Sequence, residues 1–225
     1  MFWDVLGAIV PLAVIAMISP MPIVAATAIM VGPRGTVNVV AYAITLTVAT
    51  FLLTWIFATG AQGAAEVGGG PVKTLISIVL SVALALLFFV MAYRSFRGRP
   101  KHGQTPQAPK WLGATDSFGP VRSAGLGALL SIANVKNLSI MIAAGHEIGD
   151  AELSWLMTLE IVIIFAVLCS LGVLVPMFAR LFGSQHVQSF FESAKDGMIR
   201  YNAIIMTVLF TVLGSLQLGS ALEAF

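Results

Sequence analysis

Apolar runs long enough to cross a lipid bilayer recur along this chain and leave it one class of fold. A hydrocarbon core of ~30 Å takes ~20 residues of helix. The runs fall at roughly 5–31, 37–59, 71–93, 121–146, 154–180 and 198–220. None shows the alternation of period two that a membrane barrel needs. Charged residues make up 10% of the chain and hydrophobic ones 58%, with a mean hydropathy of +0.96, whereas a soluble domain carries about 25% charged residues. An all-α polytopic membrane protein is predicted, with six transmembrane helices and no soluble domain. The first run follows no Lys or Arg and continues too far for a signal peptide, so it is read as the first span.

The breaks between runs divide the chain. Residues 1–95 and 121–225 each hold a set of three spans, and 96–120 form a polar linker. Lys and Arg in short loops mark the cytoplasmic side. Arg34, Arg94, Arg97, Arg99, Lys101, Lys110, Arg122, Arg180, Lys195 and Arg200 all fall in or beside the first, third and fifth connections, against Lys73 on the other side. Both termini are therefore expected outside a cytoplasmic (inner) membrane. The basic stretch RSFRGRPKHGQ is read as a topology signal, and QSFFESAK, near residue 190, as a short segment that could lie along the interface.

Two stretches interrupt the spans. ISPMPIVAA places Pro20 and Pro22 in the middle of the first span. Each proline removes a helix hydrogen bond, leaving carbonyls near Met17 and Ile18 in need of other partners. SIANVKNLSI places Asn134, Lys136 and Asn137 in the middle of the fourth. Ser19 through Ile23 can be laid on Asn134 through Leu138. Each break is in the first span of a three-span half, and an odd number of spans per half makes the repeats inverted. Paired discontinuities in inverted halves point to a midplane binding site of a transporter.

Lys136 is the sharpest of these residues, since a lysine at the centre of a span costs ~2.5–3.5 kcal/mol even on the mild insertion scale. It is ~20 Å from either end of its span, too far to snorkel. It becomes a candidate for anion binding or proton coupling. Glu160, in the fifth span, is a possible charge partner or proton-coupling group. Asn134 and Asn137 supply amide groups that could serve a ligand or the broken backbone, and Ser19 could cap the helix after the break. The single cysteine, Cys169, permits neither a disulfide nor a cysteine metal cluster within one chain. His102 and His186 fall in predicted loops and His146 at an outer helix end, where an exposed polar helix end accounts for it and Glu147. No metal site and no cofactor are expected.

The break SPMPI, the turn GPRG and the motif ANVKNL resemble the lysine-exporter (LysE) superfamily, and within it the GAP or Sap branch, the glycopeptidolipid- and sulfolipid-addressing proteins of actinobacteria. The resemblance covers essentially the whole chain. That branch usually reads N-P-K-N in the second break, where Val135 stands here, so a milder break is expected in the fourth span. By resemblance, Ser19, Pro20, Pro22, Asn134, Lys136 and Asn137 carry over as substrate-binding positions. The implied activity is movement of lipids or lipid-like amphiphiles toward the cell envelope.

Three other readings fit the sequence. An exporter of small polar solutes would need polar residues along a path, and Thr45, Thr47, Thr50 and Thr54 do not share one helical face and can bond back to their own helix. An accessory subunit of an envelope lipid-export machine suits the small size and bare loops. An intramembrane hydrolase with Ser19 as nucleophile and Lys136 as base is the least favoured, and no enzyme is expected. Small residues, Ala25, Ala26, Ala28, Gly125, Ala128, Gly172, Gly214 and Gly219, are expected to permit close helix packing.

Overall fold

The structure is a computed structural model that describes residues 1–67, 70–99, 115, 117–182 and 185–223, without the side chains of 64–67, 70–73, 185–196, 198–199 and 223. The described residues form helices α1 (Phe2–Met17), α2 (Pro20–Val31), α3 (Gly35–Val67), α4 (Gly70–Arg97), α5 (Pro120–Ile132), α6 (Val135–Asp150), α7 (Trp155–Phe182) and α8 (Gln185–Glu223). Gly35–Gly63, Thr74–Arg97, Trp155–Phe182 and Arg200–Leu222 are each long and apolar enough to cross a membrane. The pairs α1/α2 and α5/α6 pass the same test together, bent by 49° and 63°, so there are four spans, or up to six if each bent pair is one span. The protein is a polytopic all-α membrane protein. Large apolar side chains such as Leu75, Val79, Leu86 and Val90 on α4 are exposed and face lipid.

The bends fall where the sequence placed them, but the milder second break does not hold, because the break without a proline is the more sharply bent. What interrupts that span is the N-cap. Asn134 sits at φ −79°, ψ 95° and Ser19 at φ −85°, ψ 112°, both extended, and each opens a new helix. Three further boundaries differ from expectation. Helix α3 runs on to Val67 and α6 to Asp150, which shortens the second and fourth connections. Residues 185–197 are helical and continuous with the last span rather than a loop; no proline interrupts them, and Gly197 alone does not end the helix. The basic linker stretch Pro100–Ala114, with Lys101, His102 and Lys110, lies outside the described residues, as do the side chains of Lys73, His186 and Lys195.

Hydrogen bonds between elements tie the ends of the bundle. At one end Asn38, in the first turn of α3, donates to the Phe118 carbonyl just before α5, 2.7 Å away. At the other, Gln62 near the end of α3 reaches Thr158 near the start of α7 (3.3 Å), and Ser220 on α8 reaches Glu147 on α6 (3.2 Å). His146 bonds Ser77 of α4 at 2.9 Å. The expectation that His146 and Glu147 form an exposed polar helix end is therefore corrected for the histidine, which is buried, while both residues join α6 to its neighbours. Close approach of α3 and α6 requires glycine. A Cβ on Gly149 would fall 2.6 Å from the Ala58 carbonyl oxygen, and one on Gly145 would meet Phe57.

Two apolar cores result. One joins α1, α6 and the first half of α7 with Ala58 of α3 and with α4 and α8. The other joins α2 with the first part of α3 and the second half of α7, and α5 packs against it. On α3 the cores are separated by the stretch with Thr47 and Thr50, and on α7 by the stretch with Ser170 and Gly172. Both stretches lie near the middle of their helices. Both bends lie at the boundary between the cores.

Candidate functional site

The two N-caps that open α2 and α6 meet. Asn134 Nδ2 donates to Ser19 Oγ at 3.3 Å, so the residues paired in sequence, 115 positions apart, are in contact. Neither side chain caps its own helix. Each serves the other break instead.

The carbonyl end of α1 is where proline has its effect. A helix leaves its last four carbonyls without intrahelical donors, and Pro20 has no N–H to offer Ala16, nor Pro22 any for Ile18. The Val14 carbonyl accepts the Ile18 N–H at 3.2 Å. The Ile15 carbonyl accepts the Lys136 amine at 2.9 Å. Tyr42 of α3 donates its hydroxyl to the Pro22 carbonyl at 3.0 Å. Gly172 of α7 lies against the Met17 carbonyl so closely that a Cβ there would overlap it. Neighbouring helices thus surround the broken backbone, as bilayer-depth breaks require.

Lys136 is only 2% exposed and stands in the first turn of α6, on the face it shares with Ser139, Ile140 and Ala143. A cation is unfavourable at the start of its own helix but favourable at the end of another. Its amine crosses to that other end, the negative terminus of α1. Glu160 does not join it. The buried face of α7 runs through Thr158, Ile161, Val162 and Phe165, and Glu160 points the other way and is exposed. Of the two readings of Glu160, pairing with Lys136 or reaching the interface alone, the pairing is not formed: the lysine bonds a backbone carbonyl.

Asn137 stands one residue further on, and its Oδ1 is buried with no hydrogen-bond partner. It lines a cavity of about 10 Å³ together with Met17, Pro22, Thr50, Cys169 and Gly172. That volume admits about one water molecule.

Of the residues singled out from sequence, Ser19, Pro20, Pro22, Asn134, Lys136 and Asn137 are gathered at the two bends. Ser19 and Lys136 do not bond each other: the serine takes the Asn134 amide and the lysine the Ile15 carbonyl. Thr45, Thr47, Thr50 and Thr54 of α3 bond back to Ala41, Ala43, Leu46 and Thr50 at 2.8–2.9 Å. Sequence reasoning missed Tyr42, and it missed Thr50, Cys169 and Gly172 as cavity lining. Small or polar groups near the middle of long spans were the available signal, diluted among similar residues that only pack. Among the described residues no group of three or more His, Cys, Asp or Glu could hold a metal ion.

Apolar helices, two sharply bent pairs and a buried cation where they meet define a multi-pass membrane protein with a polar site inside its bundle. The chain belongs to the family described as Sap, sulfolipid-1-addressing protein, which it matches over residues 9–223. Comparison with curated proteins and with solved structures gave no match. The family name ties the chain to lipid transport or localisation.

Proposed function

We propose that this protein moves an anionic or glycosylated lipid, or a lipid-like amphiphile, across or out of the cytoplasmic membrane, through a midplane site between α1/α2 and α5/α6. The observation that carries this reading is the Lys136 amine, buried where the two bends meet and held by one backbone carbonyl. A phosphate or sulfate headgroup forms stronger, charge-assisted bonds with an ammonium than a carbonyl does. It would draw the amine from Ile15 and free the end of α1 from α6. The lysine then acts as a latch that an anionic headgroup releases.

The pattern of packing supports two inverted repeats, 1–95 and 121–225, joined by the linker 96–120. Helix α3 packs along α5 and α6 as α7 packs along α1 and α2, and α4 pairs with α8. Exchange between outward- and inward-open states would then swing α1 and α6 against α2 and α5, about the polar layer between the cores. Helix sense puts Arg34, Arg94, Arg97, Arg122 and Arg180 at one end of the bundle, the cytoplasmic one by the positive-inside rule, with both termini outside. Envelope lipid-export proteins are the natural partners. A Ser-Lys hydrolase is less well supported, because the serine and lysine do not share a hydrogen bond.

Lipid retention tests the reading. Native mass spectrometry of the purified protein should show anionic lipids retained in preference to zwitterionic ones, and Lys136→Met should erase the preference. Equal retention of both classes by the unaltered protein would overturn it.

A further inference from the structure

The cavity beside the latch has an unusual lining. Asn137 offers a buried oxygen without a partner. Thr50 gives its own proton to the Leu46 carbonyl at 2.9 Å, so toward the cavity its oxygen can only accept. Ala16 and Met17 bring the carbonyl end of α1, whose negative dipole attracts cations. The residues around this space of about one water thus offer oxygen acceptors beside apolar Leu46, Met141 and Val173, and none of them brings a carboxylate. Neutral amide, hydroxyl and carbonyl oxygens from a broken helix are the ligand set of monovalent cation sites in transporters, whereas divalent ions call for carboxylates.

The neighbouring charge decides when such a site can fill. The Lys136 ammonium occupies the Ile15 carbonyl of the same helix end, next in the chain to Ala16 and Met17 of the cavity lining. Like charges brought to one helix end in a low-dielectric interior repel.

We propose that this cavity binds one dehydrated monovalent cation through Asn137 Oδ1, Thr50 Oγ1 and the carbonyl end of α1, and that the Lys136 ammonium competes with that cation. Its functional consequence rests on the transport reading. When a headgroup draws the lysine away, the carbonyl end of α1 loses its positive partner and the cation takes its place. Lipid movement and cation binding are thereby coupled.

Competition distinguishes this site from a packing defect. Binding of radioactive Na⁺ to purified protein, and its melting temperature in NaCl against choline chloride, are measured without any lipid assay. The unaltered protein should bind Na⁺ saturably and melt higher in NaCl. Lys136→Met should bind it roughly tenfold more tightly, as loss of a nearby like charge requires. Asn137→Ala and Thr50→Val should weaken binding at least as much, and Asn137→Asp should strengthen it, so the test survives if one variant fails to fold. Absence of saturable Na⁺ binding in the unaltered protein and Lys136→Met would overturn the proposal and leave the cavity to water. Unchanged affinity in Lys136→Met would overturn the competition. Lipid movement that persists with choline as the sole cation would leave the transport reading standing and remove the coupling.

Discussion

At the scale of single residues, the bends are held by contacts that the local sequence alone does not make. Ser19 and Asn134 are N-caps whose side chains engage each other rather than the N–H groups of their own helices. Ser19→Ala and Asn134→Ala should each lower stability, and their double-mutant cycle should give a coupling of about 0.6 kcal/mol, the average for polar pairs in membranes. Unfolding in mixed micelles measures it, and strict additivity would show that the contact contributes nothing. Lys136 was legible from sequence because a buried charge is costly wherever it faces. Its partner was not. A backbone carbonyl has no signature in the sequence, while Glu160 does, and only the orientation of α7 shows that Glu160 faces away.

Among the helices, glycine decides how closely neighbours approach. Gly172 lies on the Met17 carbonyl and Gly149 on Ala58, whereas a Cβ on Gly125 would meet nothing within 4 Å. Gly172→Ala and Gly149→Ala should therefore cost about 1–3 kcal/mol by overpacking, and Gly125→Ala should change stability by less than about 0.5 kcal/mol. Thermal unfolding in detergent checks both, and equal effects at the three positions would contradict the packing described. Composition and run length made the spans readable to within a few residues, because burial in lipid imposes one simple requirement on every residue of a run. Which glycines lie at crossings depends on helix rotation, which run length does not encode. Gly125 and Gly219 accordingly turn out to have open space around them, and Gly127, against Tyr42 of α3, was missed. The sharper bend at Asn134 makes the same point. Proline is one way to end a helix, and an extended N-cap held by a neighbouring element is another.

For the whole molecule, α1 and α6 share one apolar core and α2, with α5 against it, the other, the division about which the proposed exchange of states would turn. Orientation is testable independently of movement. With Cys169 replaced by Ser, a cysteine at position 152 should react with an impermeant maleimide in intact cells, and one at position 34 only after permeabilisation; the reverse would invert the topology. The claim on which the functional reading depends is that the Lys136 amine, buried at the bends, is the group that handles the headgroup. Its most direct test is the rate at which a labelled anionic lipid changes sidedness in vesicles containing the purified protein. The unaltered protein should move the lipid roughly tenfold or more faster than Lys136→Met, a difference of about 1.4 kcal/mol in the barrier. Equal rates for the two proteins, both folded and inserted, would contradict it.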